Sequence, residues 1–241
     1  MSTLTEHVWH DKIEKNVGGG AFDAPQENTQ YFPENYRTAA CGGRVVEGAD
    51  PYTMNSEDNT MIRFATEQDL SAMLDIYRPY VENTTYSFEY EVPAPEVFRA
   101  RFRDHVAQFP WLVWEEEGVV LGYAYAGAPW ERAAYRWCAE VSIYLHESIH
   151  GRGIGRLLYA RLEEILIRQG YRVAYALITT ENTGSVAFHE KLGYTYHSTF
   201  EDCGYKMGRW LGVIWLQKRL NENGNPMVFP KKWQDVMENG L

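Results

Sequence analysis

The strongest constraint in the sequence is a strand that runs into a glycine-rich turn and out again into a helix. In RWCAEVSIYLHE the side chains alternate. Val141, Ile143 and Leu145 point one way; Glu140, Ser142 and Tyr144 point the other, as in a strand with one buried face. HGRGIGRLLYARLEEILIRQG follows, a turn feeding a helix that stops at Gly170. The turn itself is His150-Gly151-Arg152-Gly153-Ile154-Gly155. Glycines let a backbone approach a ligand and turn its N–H groups toward one point. The helix behind them adds unpaired N–H donors and a positive dipole end, together worth roughly 0.3–2 kcal/mol toward an anion. Arg152 and Arg156 add charge. The pattern suits a phosphate cradle, and a strand-to-helix turn without a ligand uses the same glycines. It is not a P-loop, since Gly-Lys-Ser/Thr is missing, and the three-glycine dinucleotide fingerprint is absent.

The remaining elements read outward from this unit. MIRFA is a short strand; Thr66, three residues before Asp69, opens a helix with the apolar stripe Leu70, Met73, Leu74, Tyr77 and Val81. A second helix over 95–107 is opened by Pro95. LVWEEEGVVLGYAYAG is two strands joined at Glu117–Gly118. After the cradle helix come a buried strand, VAYALIT, and a helix capped by Asn182 that runs to about Leu192, with Gly193 beyond it. YTYHSTF and WLGVIWLQKRL close the set as strands. The order β-α-α-β-β-β-α-β-α-β-β predicts one α/β domain over residues 61–220, with a mixed, mostly antiparallel sheet flanked by helices. Residues 1–60 are expected to form a partly irregular N-terminal extension. Residues 221–241 are expected to be a polar tail with a short amphipathic end at Trp233, Val236 and Met237.

Composition excludes several classes. The net charge of −10 argues against a nucleic-acid surface. Residues 1–60 carry −6 of it (10 acidic, 4 basic) and residues 61–241 carry −4 (23 acidic, 19 basic), so a local basic patch in the body remains open to an anion. No apolar run could span a bilayer, and the N-terminus lacks an apolar signal core. Cys41, Cys138 and Cys203 have neither a paired framework nor metal spacing, so no metal is expected and a reducing cytoplasm is the simplest home.

The cradle is similar to the Arg/Gln-x-x-Gly-x-Gly/Ala motif of the GNAT acetyltransferases, with His150 at the first position instead of Arg or Gln. The blocks IRFATEQDL, Tyr86-Ser87-Phe88-Glu89, PWLVWEEEGVVLGYAYAGAPW, AYRWCAEVSIYL, ENTGSVAFHEKLGY and GYKMGRW resemble, in this order, the phosphinothricin acetyltransferase branch of that family. The resemblance covers roughly residues 61–220. It implies a GNAT fold with a V-shaped split between the strands ending near Leu145 and Ile178, and acetyl-CoA as cosubstrate. It implies pantetheine in the gap, paired with the backbone of the Ile143-Tyr144-Leu145 run, and the pyrophosphate on Gly151, Arg152, Gly153, Ile154, Gly155 and Arg156. It further implies that Asn182 and Ser185, an Asn-x-x-Ser pattern at a helix start, contact the pantetheine arm.

Acetyl transfer to an amine needs a base, because a free amine is mostly protonated at neutral pH; such assistance is typically worth roughly 10²–10⁴-fold. Glu140, on the polar face of the strand leading to the cradle, is the candidate base and matches the glutamate that the family places there. His189, two helical turns past Asn182, is the second catalytic candidate, as acid, base relay or substrate contact. Phe88, Arg132, Tyr135 and Arg136 fall in blocks that border the acceptor in similar proteins, where Arg can grip a carboxylate bidentately. The run Trp210-Leu211-Gly212 departs from the branch, which commonly has Trp-His-Asp, and removes two polar groups. The resemblance implies an amino-acid-like acceptor of the phosphinothricin or methionine sulfone type, and homodimerisation. The competing reading is a CoA-binding regulatory module without turnover, or an acetyltransferase for a different small amine.

Overall fold

The computed structural model describes residues 60–222 and 228–238. The extension expected over residues 1–60 lies, apart from Thr60, outside the described residues. The elements are β1 (Thr60–Phe64), α1 (Leu70–Asn83), α2 (Pro95–Val106), β2 (Trp111–Glu116), β3 (Val119–Gly127), β4 (Cys138–Leu145), α3 (Ile154–Gln169), β5 (Val173–Thr179), α4 (Thr183–Lys191), β6 (Thr195–Lys206), β7 (Arg209–Arg219) and α5 (Trp233–Glu238). The strands form one sheet in the order β1-β2-β3-β4-β5-β7-β6. Every neighbouring pair is antiparallel except β4 and β5. The mixed, mostly antiparallel sheet flanked by helices is therefore the architecture read from the sequence.

Local chemistry explains the joints. The Asp69 carboxylate accepts from the Thr66 N–H (2.7 Å) and hydroxyl (2.9 Å), which fixes the single 3₁₀ turn leading into α1. Arg63 holds the same carboxylate through two bonds of 2.7 Å and reaches Glu115 on β2, tying β1 to its neighbour. Glu117 and Gly118 both take positive φ, as a two-residue type I′ hairpin requires. Gly170 ends α3 at φ 99°.

Alternation along the strands makes two cores, one on each face of the sheet. On one face Leu112, Ala124, Ala126, Ala139 and Val141 meet Leu158, Leu162, Ile165 and Leu166 of α3. On the other Trp111, Val113 and Tyr123 meet Met73 and Tyr77 of α1 and Phe98 and Phe102 of α2.

The β4–β5 pair is the key departure from regularity. It spans only Cys138–Glu140 against Val173–Tyr175. Beyond that point β4 stays with β3 as far as Leu145↔Gly122, and β5 stays with β7 as far as Thr179↔Val213. The two strands therefore part above Glu140 and Tyr175. The His146 N–H donates to the Leu121 carbonyl (2.8 Å), and bonded and non-bonded pairs alternate along an antiparallel ladder. The N–H and C=O groups of Ile143 and Leu145, with the Val141 carbonyl, consequently face away from β3, into the split.

Two elements differ in extent from the sequence reading. β6 runs on to Lys206, because irregularities at Tyr196/Ser198 and between Phe200 and Gly204 break its period of two. The amphipathic end at Trp233, Val236 and Met237 forms α5 and packs on the α3-side core. Trp233 stacks on Phe64 (4.1 Å between centroids) and donates to the Val106 carbonyl (2.8 Å). Trp233→Ala is expected to lower unfolding free energy by about 3 kcal/mol, the low end for truncating a packed aromatic, measured by urea titration against the parent chain.

Candidate functional site

The split opens into a cleft of about 470 Å³ whose walls include Tyr80, Ile143, Thr179, Asn182, Ser185 and His189. Its upper end is the glycine turn. Gly151 and Gly153 sit at φ 75° and 81°, a region L side chains rarely adopt, and a Cβ at either would meet nothing within 4 Å. Glycine is thus favoured there by conformation, and among the described residues nothing fills the space above the turn. Gly155 is closely packed: a Cβ would come within 3.2 Å of the Phe188 ring and 3.3 Å of the Ile143 side chain, which would have to shift by a few tenths of an ångström. Gly153 caps α3 without a side-chain bond, so the first N–H groups of the helix have no partner among the described residues. This is the geometry of an anion site.

The charges around it are distributed differently from the expectation. Arg152 is turned onto Glu116 of the β2–β3 hairpin (2.7 and 3.2 Å), so its charge is already balanced. That pairing pulls the Glu116 carboxyl below its usual range. Arg156, in the first turn of α3, is exposed and has no partner among the described residues. His150 does not face the cradle. Its Nε2 lies 3.1 Å from the Leu145 carbonyl and 3.3 Å from the Tyr80 hydroxyl. Tyr80 itself donates to the Leu145 carbonyl (2.6 Å) and accepts from the Leu145 N–H (3.3 Å). Of the Ile143-Tyr144-Leu145 run, Ile143 lines the cleft, the Tyr144 ring packs against Tyr77 and Tyr80, and the Leu145 backbone is occupied by Tyr80.

At the start of α4 the Asn182 Oδ1 accepts from the Ser185 N–H (3.1 Å), leaving its amide N–H₂ toward the cleft. His189 is buried on the α3 side. The Ser185 carbonyl lies 2.8 Å from its Nδ1 and can only accept, so Nδ1 carries the hydrogen. Nε2 then accepts from the Tyr159 hydroxyl at 3.1 Å. Burial holds the imidazole pKa below its ordinary value. His189 is therefore neutral, with both nitrogens engaged. Tyr159 and Thr179 are cleft residues that sequence reasoning missed. The Thr179 hydroxyl is buried with no partner among the described residues. Nothing in a helical or strand period distinguishes either from a core residue.

Glu140 lies at the vertex, opposite Tyr175 on the last β4–β5 rung. Its neighbours Ala139 and Val141 enter the α3-side core, so its carboxylate projects from the other face. Glu140 and His189 therefore flank the split from opposite sides. No hydrogen bond or ion pair reaches the Glu140 carboxylate from any described residue. Burial without compensation pushes its pKa above the usual carboxylate value.

The acceptor residues expected from sequence are not gathered into one pocket. Phe88 lies against Gly204 of β6, on a segment held by Lys206, whose Nζ donates to the Val81 and Ser87 carbonyls (2.7 Å each). Thr85 of the same segment donates to Glu181 (2.8 Å), which pairs bidentately with Arg209 (2.7 Å twice). Tyr135 and Arg136 border a second cavity of about 730 Å³, where the Arg136 guanidinium sits over the Phe229 ring at 4.9 Å. Arg132 is exposed and has no partner among the described residues. Gly212 is fixed sterically: a Cβ would lie 2.9 Å from the Thr180 methyl and 3.1 Å from the Phe200 carbonyl. Among the described residues no three His, Cys, Asp or Glu side chains could together hold a metal ion, and no helix is long and apolar enough to cross a membrane.

Residues 62–215 match the family model described as "Acetyltransferase (GNAT) domain". The chain is 39% identical over 158 residues to the phosphinothricin N-acetyltransferase of Streptomyces viridochromogenes, covering 65% of this chain and 86% of that one. It is 34% identical over 166 residues to the L-methionine sulfoximine/L-methionine sulfone acetyltransferase of Salmonella typhimurium, covering 68% and 97%. Among solved structures, it is similar to a GNAT superfamily phosphinothricin acetyltransferase from Sinorhizobium meliloti in complex with acetyl-CoA. There the TM-score is 0.66 and the identity 33%, over 72% of this chain and 94% of that one.

The buried, neutral His189 has a consequence for stability. An unfolded histidine protonates near pH 6.5, whereas the folded His189 resists protonation. Below about pH 6.5 the unfolded state thus binds more protons, and the stability His189 provides is lost progressively as pH falls toward its lowered folded pKa. Unfolding free energy is expected to drop between pH 7 and 5, and to drop less steeply in His189→Gln, as urea titrations across that range would measure.

Proposed function

The chain belongs to the GNAT acetyltransferase family, and we propose that it transfers the acetyl group of acetyl-CoA to the amine of a small amino-acid-like acceptor by direct attack in a ternary complex. The observation that carries this reading is Glu140: a partly buried carboxylate, unpaired among the described residues, at the vertex of a split whose other end is an anion cradle. A carboxylate in such a place would be costly to keep for structure alone.

The residues divide the work by position. The free N–H groups of the glycine turn and the start of α3, with Arg156, would hold the pyrophosphate. The inward backbone of Ile143 and the free amide of Asn182 would align the pantetheine arm along the split, with Ser185 and Thr179 beside it. Bound acetyl-CoA supplies a thioester carbonyl open to a nucleophile: the new C–N bond would form as the C–S bond breaks, with CoA leaving as the thiol on the proton that the attacking nitrogen gives up. Glu140 takes the proton from the acceptor's ammonium group, and its raised pKa brings its proton affinity closer to the task. His189 keeps the Tyr159 hydroxyl fixed on the opposite wall without adding charge. Phe88 and Tyr135 would border the acceptor, and Arg132 and Arg136 are the cations available for its carboxylate.

The acceptors of the relatives, phosphinothricin and methionine sulfone, are the first members of the panel to test, with other amino acids and simple amines beside them. Acceptor-dependent thiol release from acetyl-CoA supports the proposal; CoA binding without such release would mark a binding module instead. Glu140→Gln is expected to lower kcat by about 10²–10⁴-fold with the dissociation constant for CoA unchanged. The acidic limb of kcat/KM in the parent enzyme should lie above the usual carboxylate range and vanish in the variant.

A further inference from the structure

The Leu145 backbone presents the last inward rung of β4 before the chain turns into the cradle. Among the described residues no strand pairs with it on that side, because β5 has already diverged. Backbone polar groups at such a place must find partners. Here one side chain supplies both: the Tyr80 hydroxyl donates to the Leu145 carbonyl at 2.6 Å and accepts from its N–H at 3.3 Å. Tyr80 comes from the last turn of α1, 65 residues away, and its ring lines the cleft. It fills the position that an added strand would take.

His150 completes the arrangement. A carbonyl only accepts, so the Nε2 that lies 3.1 Å from Leu145 O carries a hydrogen and donates to it, with the Tyr80 oxygen 3.3 Å away. Among the described residues the carbonyl thus has two donors, while the N–H has only the long bond to Tyr80. If the Tyr80 hydroxyl leaves, His150 keeps the carbonyl satisfied and the Leu145 N–H becomes free to donate.

We propose that the Tyr80 hydroxyl is a stand-in for ligand on the Leu145 rung, exchanged for a carbonyl of the pantetheine arm when the cosubstrate enters the split. This rests on the acetyl-CoA reading above and adds to it a positioning residue, Tyr80, with His150 as the group that makes the exchange affordable at the carbonyl. In Tyr80→Phe the ligand displaces no protein bond at this rung, so the variant binds CoA more tightly.

The test is calorimetric titration of the full chain with CoA and with 3′-phosphoadenosine 5′-diphosphate, which carries the phosphates but no arm. Tyr80→Phe is expected to bind CoA about tenfold more tightly, the factor one net hydrogen bond of roughly 1.4 kcal/mol provides, and to bind the nucleotide as the parent does. CoA affinity that is unchanged or weaker, or a change shared by both ligands, overturns the exchange. A parent chain that binds neither ligand overturns the acetyl-CoA reading, and the exchange with it. A structure of the parent bound to CoA gives a readout independent of the variant's folding. Tyr80 should stand beyond hydrogen-bond distance from Leu145, and retention of both bonds beside bound CoA sinks the proposal.

Discussion

Everything at the site depends on one parallel pair in an otherwise antiparallel sheet. Antiparallel neighbours need only a hairpin, but a parallel pair needs a crossover, and here the crossover is α3. The chain must leave the upper end of β4, turn into α3 and return to the lower end of β5. The turn is therefore placed at the top of the same gap that the two strands border. The glycine cradle and the split follow from one unit, β4-α3-β5. Three rungs hold β4 and β5 together, and above them each strand follows its outer partner. The inward backbone groups of β4 are what the divergence leaves exposed.

The ionisable groups sort themselves around that gap by two opposite effects. Where a carboxylate is paired, its pKa falls. Glu181, held by Arg209 and Thr85 at the rim, is pulled down to about 2 and stays charged as a tie between the 84–90 segment and β7. Where a carboxylate is buried and unpaired, its pKa rises, and Glu140 is the case at the vertex. The same desolvation that raises an acid lowers a base, so His189 is neutral while it holds Tyr159. The walls of the gap thus carry fixed polar groups, and its lower end carries a group able to change charge.

Much of this is legible in the sequence because it depends on period and on glycine. The alternation of Glu140 to Leu145 placed Glu140 opposite the α3-side core, and positive φ at Gly151, Gly153, Gly170 and Gly193 sits where turns and caps were read. What was not legible depends on partners. A period says which face a residue is on, not what it meets. Arg152 has the right type and spacing for an anion site, yet meets Glu116 from a hairpin 36 residues earlier. Tyr80 reaches Leu145 across 65 residues and Tyr159 reaches His189 across 30. β6 is longer than its sequence pattern predicts for a related reason: its bulges shift the register, so the alternation no longer tracks the strand.

Gly212 illustrates how the two kinds of information meet. Read as a motif, Trp210-Leu211-Gly212 is a loss of two polar groups. Read in three dimensions, it is a change of volume. Leu211 is buried, and the Gly212 carbonyl accepts from the Thr180 N–H at 3.0 Å, drawing β7 against the end of β5. The Thr180 methyl and the Phe200 carbonyl fill the space that a side chain at 212 would need. Restoring an aspartate there would thus require Thr180 and the β6 backbone to move, not merely add a charge. The departure at 212 is coupled to the residue at 180, just above the cleft wall at Thr179. This stretch of wall is accordingly shaped by packing between strands.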